Sequence, residues 1–252
     1  MAFFDTHCHL DLLQGFISAE KALINAELAE VTDIFIPGVC GFPELISSEN
    51  NKQDDEKNAM TRANLYYGWG YLPQHYSKYC SISNTSQISA VGECGLDKRI
   101  SLELPKQLDL FERHLQLAND AVLPCVVHLV GYYELALKLL KRYKLKRGFV
   151  IHSFSGAPEI AEAFVKLGGK ISLSPHSLRN VTKLYKLFNT IPMSAILLET
   201  DAPDCFLRGL NKSYGEPADL ILVAKQVAEI AGVKLSELAL YSYQTSKRLF
   251  NS

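Results

Sequence analysis

The 252-residue sequence lacks most features that would commit it to a specialised environment. None of its six cysteines, Cys8, Cys40, Cys80, Cys94, Cys125 and Cys205, belongs to a C-x-x-C pair. Several fall in apolar runs, where a thiol packs as a small hydrophobe. A reduced, cytoplasmic setting therefore fits better than a disulfide framework. No basic stretch followed by a long apolar run opens the chain, so no signal peptide is expected. No apolar run approaches the length of a membrane span, so no membrane association is expected. Charge of one sign is also missing: 26 Lys and Arg stand against 27 Asp and Glu. With no global positive field, a nucleic-acid substrate would have to be held by local charge. There is no internal repeat, low-complexity segment or linker. Residues 1–252 are read as one domain, with no obligate protein partner evident.

What is present is enough apolar material for a large core, 48% of residues against 21% charged. Eight short strand-like runs can be counted, at 3–7, 32–39, 65–71, 88–94, 123–128, 148–152, 169–174 and 195–200. Amphipathic stretches fill most gaps, with helices expected at 102–121, 134–143, 158–167, 178–188, 217–231 and 235–250. Repeated β-then-α units at this length favour an α/β fold of the (β/α)8 TIM-barrel type, with a doubly wound open sheet as the structural runner-up. The polar run at 47–58 reads as a solvated helix or a loop.

The expected strand ends collect the chemistry. His7 and His9 close the first strand, one residue apart, so both imidazoles face one way. Glu93 closes the fourth, His128 the fifth, His152 the sixth, and Glu199 and Asp201 the eighth. In a β/α barrel these ends converge on the face where active sites are built. A lone histidine after an apolar strand is usually a satisfied core residue. Four imidazoles and at least two carboxylates around one mouth are another matter, because burying them together calls for a cation. Mixed nitrogen and oxygen donors suit zinc, manganese or a similar divalent ion. Six are too many for one catalytic ion with an open position and about right for two. His75 and His114 read as structural, and His176 stays undecided. Cys8 and Cys94 are turned away from the mouth by strand alternation and read as packing residues.

Four segments resemble the signatures of the TatD family of metal-dependent hydrolases. They are Asp5-Thr6-His7-Cys8-His9-Leu10-Asp11, Val91-Gly92-Glu93-Cys94-Gly95-Leu96-Asp97, His152-Ser153-Phe154-Ser155-Gly156 and Leu198-Glu199-Thr200-Asp201-Ala202-Pro203-Asp204. The resemblance implies an amidohydrolase-like barrel and a metal-dependent deoxyribonuclease, often of the 3′-to-5′ exonuclease kind. It implies that His7, His9, Glu93 and Asp201 hold one ion, and that Glu93, bridging, holds a second with His128 and His152. Around that set the chain departs from the pattern. Leu72 stands where many members carry a histidine, Val130 where many carry a phosphate-binding arginine, and Gly215-Glu216-Pro217 where an Asn-x-Pro stretch is usual.

The expected reaction is metal-assisted hydrolysis with two divalent ions, zinc foremost and manganese or magnesium as alternatives. Glu93 and Asp201 are the catalytic carboxylates, with Asp201 taking a proton from the attacking water. Glu199 shares strand parity with Asp201 and is expected to orient a ligand. Asp11 and Asp204 either do the same or cap local structure. Arg99, Arg179 and Arg208 are candidate substrate contacts in place of the missing arginine, alongside Lys98 and Lys212. The denser cluster Lys138, Lys141, Arg142, Lys144, Lys146 and Arg147 falls largely on the opposite face and reads as solvated charge. DNA or a small phosphodiester or ester is the expected partner. Hydrolysis of an ester, aminoacyl ester or amide is the alternative favoured by Leu72 and Val130, and a non-catalytic metal-binding relative is the third.

Overall fold

The computed structural model describes residues 1–43, 63–209 and 212–251; the polar run at 47–58 lies outside them. The strands are β1 Phe3–Asp5, β2 Val31–Ile36, β3 Cys40–Gly41, β4 Asn64–Tyr71, β5 Ala90–Asp97, β6 Cys125–Val130, β7 Phe149–Ile151, β8 Gly169–Leu173 and β9 Ile196–Leu198. The helices are α1 Ala19–Leu28, α2 Leu104–Ala121, α3 Tyr133–Tyr143, α4 Pro158–Lys166, α5 Val181–Phe188, α6 Leu220–Ala231 and α7 Leu235–Phe250. Eight strands pair in parallel in the order β1-β2-β4-β5-β6-β7-β8-β9, and short β3 pairs antiparallel with β4 off that path. The first and last strands meet beyond their ends. Thr6 donates to the Leu198 carbonyl at 3.1 Å, Asp201 N to that of His7 at 2.8 Å, and His9 N to that of Ala202 at 2.8 Å. Sequential order with closure makes this a β/α barrel and excludes the doubly wound sheet, whose strand order would reverse.

Two apolar layers hold it. The larger lies between the strands and the helix ring, where α2 buries Phe111, Leu115 and Ala118 and the strands bury Cys8, Cys94 and Cys125. The smaller fills the barrel: Phe4, Phe35, Ala90, Val126, Val150 and Leu197 point inward and pack on Leu249 and Phe250. The Phe250 ring lies 4.7 Å from Phe35 and 5.3 Å from Phe4, so the end of α7 plugs the barrel floor.

The floor is also pinned by charge. Asp33 is fully buried and receives Lys247 Nζ at 2.8 Å, with Tyr66, Tyr243, Thr32 and Asn64 donating as well. Burial pushes the Asp33 carboxyl up, but the Lys247 ammonium and these donors outweigh it and hold it below its usual value. Removing one partner of such a pair strands the other charge. Lys247→Met is therefore expected to cost about 2 kcal/mol in urea unfolding. The carboxyl is lowered on folding, so its contribution is present above the unfolded pKa and is lost as pH falls below about 4. Asp33→Asn should remove that part of the acid-side loss, read as a shallower fall of unfolding free energy with decreasing pH.

Several expectations shift in detail. The stretch expected as one helix at 178–188 divides into a 3-10 turn, Ser177–Arg179, and α5. Asn180 caps α5 by accepting from Lys183 N at 3.0 Å, which ends the turn and restarts the chain as a helix. The stretch at 217–231 likewise opens with a 3-10 turn, Pro217–Asp219. The last barrel strand is shorter than 195–200, and β5 is longer than 88–94, running on to Asp97. The basic cluster near α3 is not simply solvated: Arg147 donates to the Asn251 carbonyl at 2.7 Å, and Arg142 pairs with Glu112. None of the described helices is long and apolar enough to cross a membrane.

Candidate metal centre

The six residues expected as ligands come together at the mouth of the barrel. The bridge from Cys8 to Ala202 extends β1 past Asp5, so that His7 and His9 flank an outward-turned Cys8. The two Nε2 atoms lie 3.3 Å apart. Glu93 arrives from β5, where the register to β6 shifts between Val91 and Cys94. Glycine is required on both sides of it: Gly92 and Gly95 have φ of +141° and +146°, and a side chain on Gly95 would run into the His128 carbonyl. His128 lies on β6, and His152 follows β7.

Glu93 is shared between two halves of the cluster. Its Oε2 lies 3.3 Å from His7 Nε2 and 3.7 Å from His9 Nε2. Its Oε1 lies 2.8 Å from both His128 Nδ1 and His152 Nε2. Asp201 Oδ1 stands on the first side, 3.9 Å from His7 Nε2 and 4.0 Å from His9 Nε2. A pair of imidazoles can share one proton, but with His128 Nε2 bonded to Asp97 a neutral His128 turns its Nδ1 lone pair on Glu93 Oε1 at 2.8 Å, a meeting of two acceptors that a cation would satisfy. His7 Nδ1 is also buried without a hydrogen-bond partner among the described residues. The donor set, imidazoles with carboxylates, fits divalent metal, and against burial the Glu93 carboxylate, joined at His128 by Asp97, raises His128 and His152 above their usual value where no metal shares it.

A second ring of carboxylates surrounds these candidate ligands. His128 Nε2 donates to Asp97 Oδ2 at 3.0 Å, which leaves Nδ1 for Glu93 and His152. Glu199 lies 3.6 Å from His152 Nδ1 and also accepts from Ser153 N, as its strand parity suggested. Asp5 accepts from Thr200 N at 2.9 Å and from His7 N at 3.3 Å, tying β1 to the segment that carries Asp201. Burial pushes the Asp5 carboxyl up to about 8 despite these donors. Sequence reasoning gave no role to Asp97 or Asp5. The available signal was parity, since Asp97 shares it with Glu93, but the strand was expected to end before Asp97.

The electrostatics suit this arrangement. Burial works against the charge on Glu93, but the His152 and His7 imidazoles and the His128 bond hold it well below the usual carboxylate range. Asp201 is likewise pushed up by burial and held below its usual value by His152, His7 and His9. Burial and the neighbouring His7 lower His9 to about 4, keeping it neutral, which is the metal-binding form. His114 lies away from the mouth as a core residue, donating to the Leu110 carbonyl and accepting from Tyr71 N.

The cluster floors a cleft of about 420 Å³. Leu72, Ile100, Leu129 and Val130 make one wall apolar, while His176, Ser153, Ser155 and Asp204 line it elsewhere. The expected cations divide. Arg99 reaches the cleft but is engaged with Asp97, Nη2 to Oδ2 at 2.6 Å. Arg179 lines an adjoining pocket instead. Arg208 is exposed and lines neither. Lys212 is tied to Glu216 at 3.0 Å and Asp219 at 2.7 Å, so its charge anchors the start of α6. The Gly215-Glu216-Pro217 departure is thus structural.

The family model described as TatD-related DNase matches residues 4–251. An uncharacterized metal-dependent hydrolase of Escherichia coli K12, YjjV, is 29% identical over 263 residues, covering 99% of this chain and 98% of its own. The crystal structure of that TatD homolog superposes with a TM-score of 0.84, at 28% identity and over 99% of this chain and 98% of that one. A 3′-5′ ssDNA/RNA exonuclease, TatD of Erwinia tasmaniensis, is 30% identical over 234 residues, 85% of this chain and 89% of its own. With the barrel and the shared carboxylate at its mouth, these matches make the chain a member of the TatD-related DNase family of metal-dependent hydrolases.

Proposed function

We propose that this protein is a cytoplasmic nuclease that hydrolyses phosphodiester bonds in DNA with two divalent ions, zinc foremost and manganese or magnesium as substitutes. The observation that carries the reading is the division of the Glu93 carboxylate, one oxygen toward His7 and His9 and the other toward His128 and His152. In this reading His7, His9 and Asp201 would hold one ion, His128 and His152 would hold the other, and Glu93 would serve both. Ions bound there would polarise the scissile phosphoryl group and lower the pKa of the attacking water. Asp201, kept ionised by its histidine neighbours, takes that water's proton on its carboxylate as the new P–O bond forms and the leaving oxygen departs. Asp97 holds His128 in the orientation its role requires, and Glu199 stands beside His152 as a charge at 3.6 Å. The six free cysteines fit a reducing compartment.

Among the relatives described above, the one named for an activity is an exonuclease on single-stranded DNA and RNA. That supports phosphodiester cleavage over the ester, aminoacyl-ester and amide alternatives. The intact donor set supports turnover over a non-catalytic role. Protein stripped by a chelator and reloaded with zinc or manganese should shorten end-labelled single-stranded DNA, and the stripped protein should not. Turnover of carboxylic esters without cleavage of DNA or RNA would overturn the proposal.

A further inference from the structure

A nucleic-acid strand carries more than one phosphate, and the mouth of this barrel is lopsided toward them. On the β4–β6 side Leu72, Leu129 and Val130 are apolar, and the polar groups beside them are Gln74 and Arg99, the latter already paired with Asp97. On the β8 side a second cavity of about 120 Å³ adjoins the cleft, with Ser155 and His176 lining both. It has room for a phosphate group. Arg179 and Lys183 line it. Lys183 Nζ is held at its edge by the Ser155 carbonyl at 2.9 Å. The Arg179 guanidinium makes no hydrogen bond or ion pair among the described residues, unlike Arg99 and Lys212, whose charges are already matched.

The backbone places this cavity beside the reacting centre. β8 lies between β7, after which His152 comes, and β9, after which Asp201 comes. Ser174, at the end of β8, bonds Ser153 Oγ at 2.8 Å and receives His176 N at 3.1 Å. His176 is thereby fixed at the border between cleft and cavity. The break at Asn180, which divides the expected helix, turns Arg179 into the cavity instead of leaving it on a helix flank.

We propose that Arg179, with Lys183 and His176, forms a second phosphate subsite that holds the phosphate next to the one being cleaved. The inference rests on the nuclease reading above. It supplies, one phosphate along the strand, the positive charge that Val130 no longer supplies at the scissile position. Guanidinium and ammonium groups grip phosphate without reading sequence, so the subsite favours oligonucleotides over isolated phosphodiesters and is indifferent to base.

The test uses the metal-loaded full chain with single-stranded oligonucleotides and with bis(p-nitrophenyl) phosphate, which has one phosphate and no neighbour. Arg179→Ala should raise KM for the oligonucleotide about tenfold with little change in kcat, and Arg179→Lys should recover part of the loss. The slope of log kcat/KM against log salt should fall by about 0.7, the value for one contact on a single strand. An equal loss on both substrates would overturn the subsite, because it would put Arg179 at the scissile phosphate. So would an unchanged oligonucleotide KM and salt slope in an active nuclease. If the wild type cleaves bis(p-nitrophenyl) phosphate or esters but no nucleic acid, the nuclease reading itself fails.

Discussion

Glu93→Gln is expected to lower turnover by about three orders of magnitude while leaving the fold intact. The substitution keeps the side chain's shape, so packing around this buried position is preserved. It replaces one carboxylate oxygen by an amide nitrogen that can only donate. Whichever way the amide turns, it sets N–H groups against either His7 and His9 or His128 and His152. One half of the site then loses its anionic donor, and several kcal/mol of transition-state stabilisation go with it, which is the source of the thousandfold figure. The measurement pairs kcat on labelled DNA with metal content by elemental analysis. A variant within tenfold of wild type and with unchanged metal content would mean that Glu93 does not bridge.

Asp97→Ala is expected to cost about 10- to 100-fold in activity or metal affinity, the usual range for a residue that orients a ligand. Asp97 has two calls on its carboxylate, His128 Nε2 at 3.0 Å and Arg99 at 2.6 Å. Without it His128 is free to rotate and to change tautomer, and its Nδ1 is no longer fixed toward Glu93. Arg99 loses its anchor at the same time. The loss should therefore be partly repaired by Asp97→Asn, which keeps an acceptor for the imidazole proton. Raising the zinc concentration should restore more of the Asp97→Ala activity than of the Glu93→Gln activity, because the first variant retains all six proposed ligands. No recovery in either arm would assign Asp97 to folding rather than to the ligand it touches.

The barrel and the cluster at its mouth were legible for different reasons. Parallel strands buried on both faces are short, near-continuous apolar runs, and β6, β7 and β8 stand out as such. The proposed ligands stood out because each lies at or just past the end of an expected strand. What escaped was set by neighbours distant in sequence. Asp97 was missed because β5 runs on past Cys94 by pairing Gly95, Leu96 and Asp97 with His128, Leu129 and Val130, partners that apolar pattern alone does not reveal. The break at Asn180 escaped because Leu178, Val181, Leu184, Tyr185 and Phe188 keep helical spacing straight across it. The cations at the mouth were the least legible. Whether Arg99, Arg179, Arg208 or Lys212 faces substrate depends on which carboxylates the folded loops bring alongside, and Asp97, Glu216 and Asp219 claim two of the four.

The most direct test of the shared-carboxylate site is the metal stoichiometry of the protein after saturation and removal of free ion. Two divalent ions per wild-type chain, falling to one or fewer in Glu93→Gln, is the predicted result. Wild-type protein that retains well under one ion per chain, or a Glu93→Gln variant that still holds two, would contradict it.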